Sequence, residues 1–135
     1  MDSPPRHCAT NALTMILCIA MYTAMAGSID NWKVQIRKGY LELCILMVIR
    51  QKKTVYGFDL IEQLAKAGID LKEGTLYPLL NRMSADGLLG AVWDIENIKG
   101  HPRKFYSLTK EGHKFLGQSE DEFLQMITIF KDLRK

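Results

Sequence analysis

Reactive side chains are scarce in this chain of 135 residues. The three cysteines, Cys8, Cys18 and Cys44, are odd in number and lack metal-ligand spacing, so neither a disulfide framework nor a metal site is expected. Inert thiols in a reducing, cytoplasmic compartment are the simplest reading. The three histidines, His7, His101 and His113, are scattered, and no carboxylate pair stands out in an apolar setting. Catalysis needs a nucleophile, a base and an orienting group brought together, or a metal cluster. Neither is there, and the chain reads as a non-enzyme without cofactor or metal. Repeats and low-complexity segments are missing as well. Strong charge is also absent: the net value is +3, too small by itself to imply nucleic acid.

Charge is missing altogether from residues 8–28, and residues 13–26 are strongly apolar. A run of that length can just span a bilayer. Arg6 upstream and Ala24-Met25-Ala26-Gly27 downstream also resemble a secretory signal with a small-residue cleavage site. The reading preferred is a third one: residues 1–24 lie outside the working protein, and Met25 serves as the start shortly before the organised pattern opens at Trp32. On that reading the membrane is not a partner. The expected division is an apolar extension over 1–30, a folded domain over 31–108 and a terminal helix over 109–135.

What the chain does have is charge in particular places. Between residues 31 and 53, six cations (Lys33, Arg37, Lys38, Arg50, Lys52, Lys53) face one anion, Glu42. Residues 99–104 carry three cations, Lys99, Arg103 and Lys104, and no anion, whereas residues 54–98 balance at −4. Such concentration is what an electrostatic footprint requires, although solvated faces also collect charge unevenly.

Hydrophobic spacing predicts the elements. Ile36, Tyr40, Leu43 and Met47 recur at helical intervals over 32–51, and 43–49 is apolar almost all round, so this helix should be buried on more than one face. Residues 54–57 break it. A second helix over about 56–67 places Leu60, Ile61, Leu64 and Ala65 inward and ends at Gly68. A third over 72–86 turns Leu76, Leu79, Leu80 and Met83 inward and stops at Gly87. Thr75 is expected as its N-cap, because Pro78 is tolerated only near a helix start. Residues 88–96 and 104–108 have strand composition, with Gly100 and Pro102 between them. Thr109 can cap a final helix that carries Leu116, Phe123, Met126, Ile127, Phe130 and Leu133 in a heptad-like stripe. The fold class is therefore mainly α with a small β-hairpin: a winged helix-turn-helix plus a C-terminal dimerisation helix. The stripe can pack on the first helix or pair with a second chain. The little core left to cover favours the second, a homodimer whose symmetry suits paired half-sites.

A polar-faced helix followed by a cationic hairpin is a DNA-reading arrangement. Thr75 and Gly74 permit close approach at the helix N-terminus, where amides and dipole favour phosphate. Lys72 adds a cation, Tyr77 a hydroxyl, and Asn81 and Arg82 extend the outward face. Each has a plainer alternative, a half-buried core aromatic for Tyr77 and simple exposure for Asn81 and Arg82. Lys99, His101, Arg103 and Lys104 splay from a turn and suit backbone neutralisation, His101 being equally at home merely exposed. Tyr56 and the Arg37-Lys38 pair are candidate secondary phosphate contacts.

These residues resemble the PadR family of transcriptional regulators. The likeness is carried by Ile36-Arg37-Lys38-Gly39, Tyr56-Gly57-Phe58, Glu73-Gly74-Thr75-Leu76-Tyr77-Pro78-Leu79-Leu80 and Asp86-Gly87-Leu88. It continues through His101-Pro102-Arg103-Lys104-Phe105-Tyr106 and Leu108-Thr109-Lys110-Glu111-Gly112, in family order from about residue 32 to 116. It implies a winged-helix dimer that represses by occupying double-stranded promoter DNA and leaves it when an effector binds. By position it puts Thr75 and Tyr77 in the recognition helix, Tyr56 in the preceding helix, and Arg103 and Lys104 in the wing. The short C-terminal region resembles the smaller subfamily, in which one terminal helix dimerises. Some members hold flat aromatic compounds between aromatic side chains at the dimer centre; here the final helix offers Phe115, Phe123 and Phe130 but no tryptophan. The rival functions are a winged-helix module for an acidic protein partner and a membrane-tethered regulator.

Overall fold

The computed structural model describes residue 16, residues 28–94 and residues 103–135. The apolar N-terminal run, apart from Ile16, and the wing-tip residues Lys99 and His101 lie outside that range. Among the described residues no helix is long and apolar enough to cross a membrane.

Two compact units divide the chain, Met1–Gly39 and Tyr40–Lys135. In the first, Ser28 begins helix α1 (Ile29–Lys52): its hydroxyl accepts from the Asn31 amide at 3.0 Å and its carbonyl from Trp32. This is the capping a serine supplies at a helix start. Trp32, Val34 and Ile36 are exposed there.

The second unit holds the rest of α1, then β1 (Thr54–Tyr56), α2 (Gly57–Lys66), α3 (Glu73–Ala85), β2 (Leu89–Asp94), β3 (Arg103–Leu108) and α4 (Lys110–Arg134). The residues expected to be buried all round on α1 are so: Leu43, Ile45, Leu46 and Ile49 are in the core, with Cys44, Met47 and Val48 packed against it. Leu60 and Leu64 of α2, Leu76, Leu80 and Met83 of α3, Leu71, Val55, Leu89, Tyr106 and Leu116 complete that core. Ala65, expected inward on α2, is exposed.

The sheet departs from expectation. It has three antiparallel strands in the order β1-β3-β2, not two. Residues 54–56, read only as a helix break, form an edge strand in register with β3, Thr54 opposite Ser107 and Tyr56 opposite Phe105. Three residues show no alternation; they form a strand through pairing with partners some fifty positions away.

Two glycines do what their positions suggested. Gly68 (φ +93) and Gly87 (φ +81) adopt the left-handed conformation just past α2 and α3. At each end the amide pattern is a Schellman closure: Gly68 donates to Ala65 and Ile69 to Leu64, Gly87 to Ser84 and Leu88 to Met83. The start of α3 is different from the expectation. Lys72, not Thr75, is the N-cap, and it provides no side-chain bond. Pro78 therefore sits a turn deeper than anticipated. A proline there cannot donate to the carbonyl four residues back, which belongs to Gly74. Gly74 is exposed with open space around its Cα, so water can serve the orphaned carbonyl.

Candidate nucleic-acid interface

The burial of Leu76, Leu80 and Met83 fixes how α3 is turned. With 3.6 residues per turn, Gly74, Pro78 and Asn81 then share the opposite side, with Arg82 and Thr75 turning away on one flank and Tyr77 on the other, and all six are exposed. Lys72 is exposed just before the helix. The surface offered is narrow at Gly74, polar at Asn81 and bordered by the Arg82 cation.

Tyr77 is partly packed and partly open, as the half-buried aromatic reading expects. Its ring edge lies so close to Gly57 that a Cβ there would sit 2.9 Å from a ring carbon, yet more than a third of the residue remains exposed. Gly57 thus opens the space in which Tyr77 lies at the junction of α2 and α3. Burial pushes the Tyr106 phenol above its ordinary range, and the neighbouring Tyr77 adds to this.

Arg82 has a partner on another helix. Its guanidinium is ion-paired with Glu42 of α1, whose side chain is largely covered, while more than half of the Arg82 side chain stays exposed. The pair joins positions forty residues apart, beyond any local pattern.

The wing strands carry two clusters on opposite faces. Directly paired residues of neighbouring strands share a face, so Tyr56, Phe105 and Val92 stand on one side and Val55, Tyr106 and Ala91 on the other. On the outer side, Tyr56 stacks on Phe105 at 3.7 Å between centroids and donates its hydroxyl to Asp94 Oδ2 at 2.9 Å. Arg103 lies over the Tyr56 ring at 5.3 Å. The Tyr56 phenol is held above its ordinary range, first by desolvation and then by the Asp94 carboxylate it donates to. Tyr56 ends β1 and caps α2 rather than lying within the preceding helix, and its hydroxyl proton is already engaged.

On the inner side, toward the open end of the wing, Lys104 stands opposite Trp93. Its Nζ is 5.4 Å from the Trp93 ring centre and 5.7 Å from that of Tyr106. Trp93 was not singled out from sequence. Its pairing with Lys104 follows from strand register, which strand composition alone does not set. Arg37 and Lys38 are exposed on α1 in the first unit.

The final stripe divides. Leu116 is wholly buried in the core and has no surface for a partner, contrary to its expected place at an interface. Phe123 packs against the core and against Tyr40, 5.6 Å between centroids, and Ile127 is half-buried. Met126, Phe130 and Leu133 are exposed, together with Leu124 and Ile129.

Three helices, a short sheet whose last two strands form a wing, and a polar crest on the third helix define a winged helix-turn-helix protein. The profile of the transcriptional regulator PadR-like family matches residues 45–118. The chain is similar to a PadR-like transcription factor from Bacteroides fragilis, with 41% identity and TM-score 0.67 over 77% of this chain and 99% of that one. A PadR family regulator from Eggerthella lenta is 31% identical with TM-score 0.67, over 84% and 97% of the two chains. Transcriptional regulator Rv3488 of Mycobacterium tuberculosis is 39% identical over 62 residues, 46% of this chain and 56% of that protein. The chain thus spans little more than half the length of that relative. This protein belongs to the PadR-like family of transcriptional regulators, a family of regulators and not of enzymes.

Proposed function

We propose that the protein is a cytoplasmic homodimer that binds double-stranded promoter DNA in a sequence-specific manner, represses from that site and is released by a small, flat aromatic effector. The observation that carries the reading is the exposed outer surface of α3, Gly74, Pro78 and Asn81 with Tyr77 beside them, together with the cationic strand β3 in the same compact unit. The crest enters the major groove while Arg103 and Lys104 neutralise the backbone beside it, aided by Lys99, His101 and Lys72. Thr75 and Asn81 read bases; Tyr56, Arg37 and Lys38 are outlying contacts. Tyr56 acts through its ring and its hold on Asp94 more than through a free hydroxyl. The exposed apolar residues of the second half of α4 support self-association, with Phe115 and Phe130 as aromatic candidates for effector contact.

Fluorescence anisotropy with duplexes selected from a random pool tests this. Affinity should fall steeply between about 50 and about 200 mM salt, as counterion release demands. Arg103→Ala with Lys104→Ala should weaken all duplexes alike and lower the salt slope by about two. Asn81→Ala should instead change the ranking of sequences. If no duplex is bound at the lowest salt, the DNA reading is wrong. An acidic protein partner for the wing is then the better account.

A further inference from the structure

We infer that Trp93 is part of the DNA-contacting surface: it holds Lys104 in place by its indole face and meets the sugar-phosphate backbone with the area that remains exposed. This rests on the DNA reading above.

The inner side of the sheet is covered where Val55 and Tyr106 enter the core, and it becomes accessible toward the end of the strands. At that transition Trp93 keeps 55% of its surface open. A large aromatic left this open on β2 has to be accounted for. Directly across from it, Lys104 is only partly exposed, and its ammonium lies within reach of two rings, Trp93 and Tyr106. A lysine normally loses much rotamer freedom when it grips a phosphate. Two aromatic faces restrain this one beforehand by cation–π attraction. Strand β2, which carries Trp93, packs against α3 itself, so the indole sits on the strand that adjoins the recognition helix.

The occupant is fixed by charge. Lys104 adjoins the indole, and Arg103 adds a second cation next to it on the opposite face of β3, where Asp94 accepts from Tyr56. An apolar plate beside a restrained cation suits deoxyribose next to a phosphate, the group that lysines on duplex DNA neutralise. An acidic protein segment is the competing occupant and is separated by the test.

The chain has two tryptophans, Trp32 and Trp93, so Trp32→Phe leaves Trp93 as sole reporter. With full-length protein and a labelled duplex, anisotropy reports binding while acrylamide quenching reports access to the indole. Protection of Trp93 from acrylamide at saturating duplex is the expected result. Anisotropy that rises while quenching stays unchanged overturns the inference and leaves the DNA reading intact. No rise in anisotropy at low salt overturns both. A second measurement separates positioning from simple folding: Trp93→Leu should weaken binding roughly 2- to 10-fold, the span of one cation–π contact, with Trp93→Phe restoring part of it. In a Lys104→Met background the same substitution should cost distinctly less, as coupled neighbours require. An equal loss in both backgrounds would show that Trp93 does not act through Lys104.

Discussion

The two halves of α4 share a helix and an apolar stripe but live in different surroundings. In the first, Leu116 is 0% exposed and Gly112 is buried; in the second, Leu133 is 81% exposed and Phe130 61%. Sequence periodicity treats the halves alike, since a stripe records only that one face is apolar. What differs is whether the chain itself supplies the covering. It does so as far as Phe123 and Ile127, and beyond them the apolar face continues without cover from the described residues. The lesson is that a single hydrophobic pattern need not be buried by one and the same set of neighbours: its first half serves the fold, and its second half is left for the association proposed above.

That contrast can be broken by substitution. The largest effect is expected from Phe130→Asp, which should convert the proposed dimer to monomer in sedimentation velocity while leaving helical circular dichroism unchanged. A dimer that persists would place Phe130 off the interface. Phe123→Asp is the less clean choice, because Phe123 also packs on Tyr40 within the chain. Next comes Leu116→Ala, which should destabilise by about 2–5 kcal/mol in urea denaturation through the lost burial and the cavity left. Leu133→Ala should change the stability of the folded chain by only about 0.5 kcal/mol or less. If the two leucines behave alike, the division of the helix is mistaken.

A pair of glycines sharpens the same contrast more finely. A Cβ at Gly112 would meet the Leu88 carbonyl oxygen at 2.1 Å, whereas at Gly117 nothing lies within 4 Å. Gly112→Ala should cost on the order of 1–3 kcal/mol, as overpacking against backbone does. Gly117→Ala should raise stability by up to about 1 kcal/mol through helix propensity. Thermal melts of the two variants should therefore shift in opposite directions. Arg50→Ala is a further small effect. Arg50 pairs with Glu120 at 2.5 Å across α1 and α4, but both side chains are partly exposed. The loss should stay within about 1 kcal/mol and shrink with added salt.

Much of the fold was legible because its signals are local. Thr109 was recognisable as a cap, and its hydroxyl does accept from the Gly112 amide at 3.0 Å. Gly68 and Gly87 were recognisable as helix stops because few other residues take up positive φ without strain. The apolar run at 43–49 announced a buried helix. What escaped depends on distance. Strand β1 exists through β3, Arg82 pairs with Glu42, and the pairing of Trp93 with Lys104 follows from strand register. The start of α3 was misplaced for another reason: the cost of Pro78 was reckoned for a helix interior, while the carbonyl it deprives sits at an exposed glycine. The crest of α3 was legible as a set of polar residues. Which of them lie on the crest and which on the flank was settled only by what the other side buries.

Thr109 has a mechanical consequence. Its hydroxyl donates to the Gly87 carbonyl at 2.6 Å, its amide donates to the Leu88 carbonyl at 3.1 Å, and it caps the very helix it begins. The first turn of α4 is thereby bolted to the turn that closes α3, with Gly112 pressed against the same carbonyl as a washer no larger side chain could replace. The arm and the jaw of a caliper are joined in this way. In the proposed dimer, the gap between the two reading helices would be set by the angle at which the α4 arms cross, and any compound that prised those arms apart would alter the span of DNA the pair can measure.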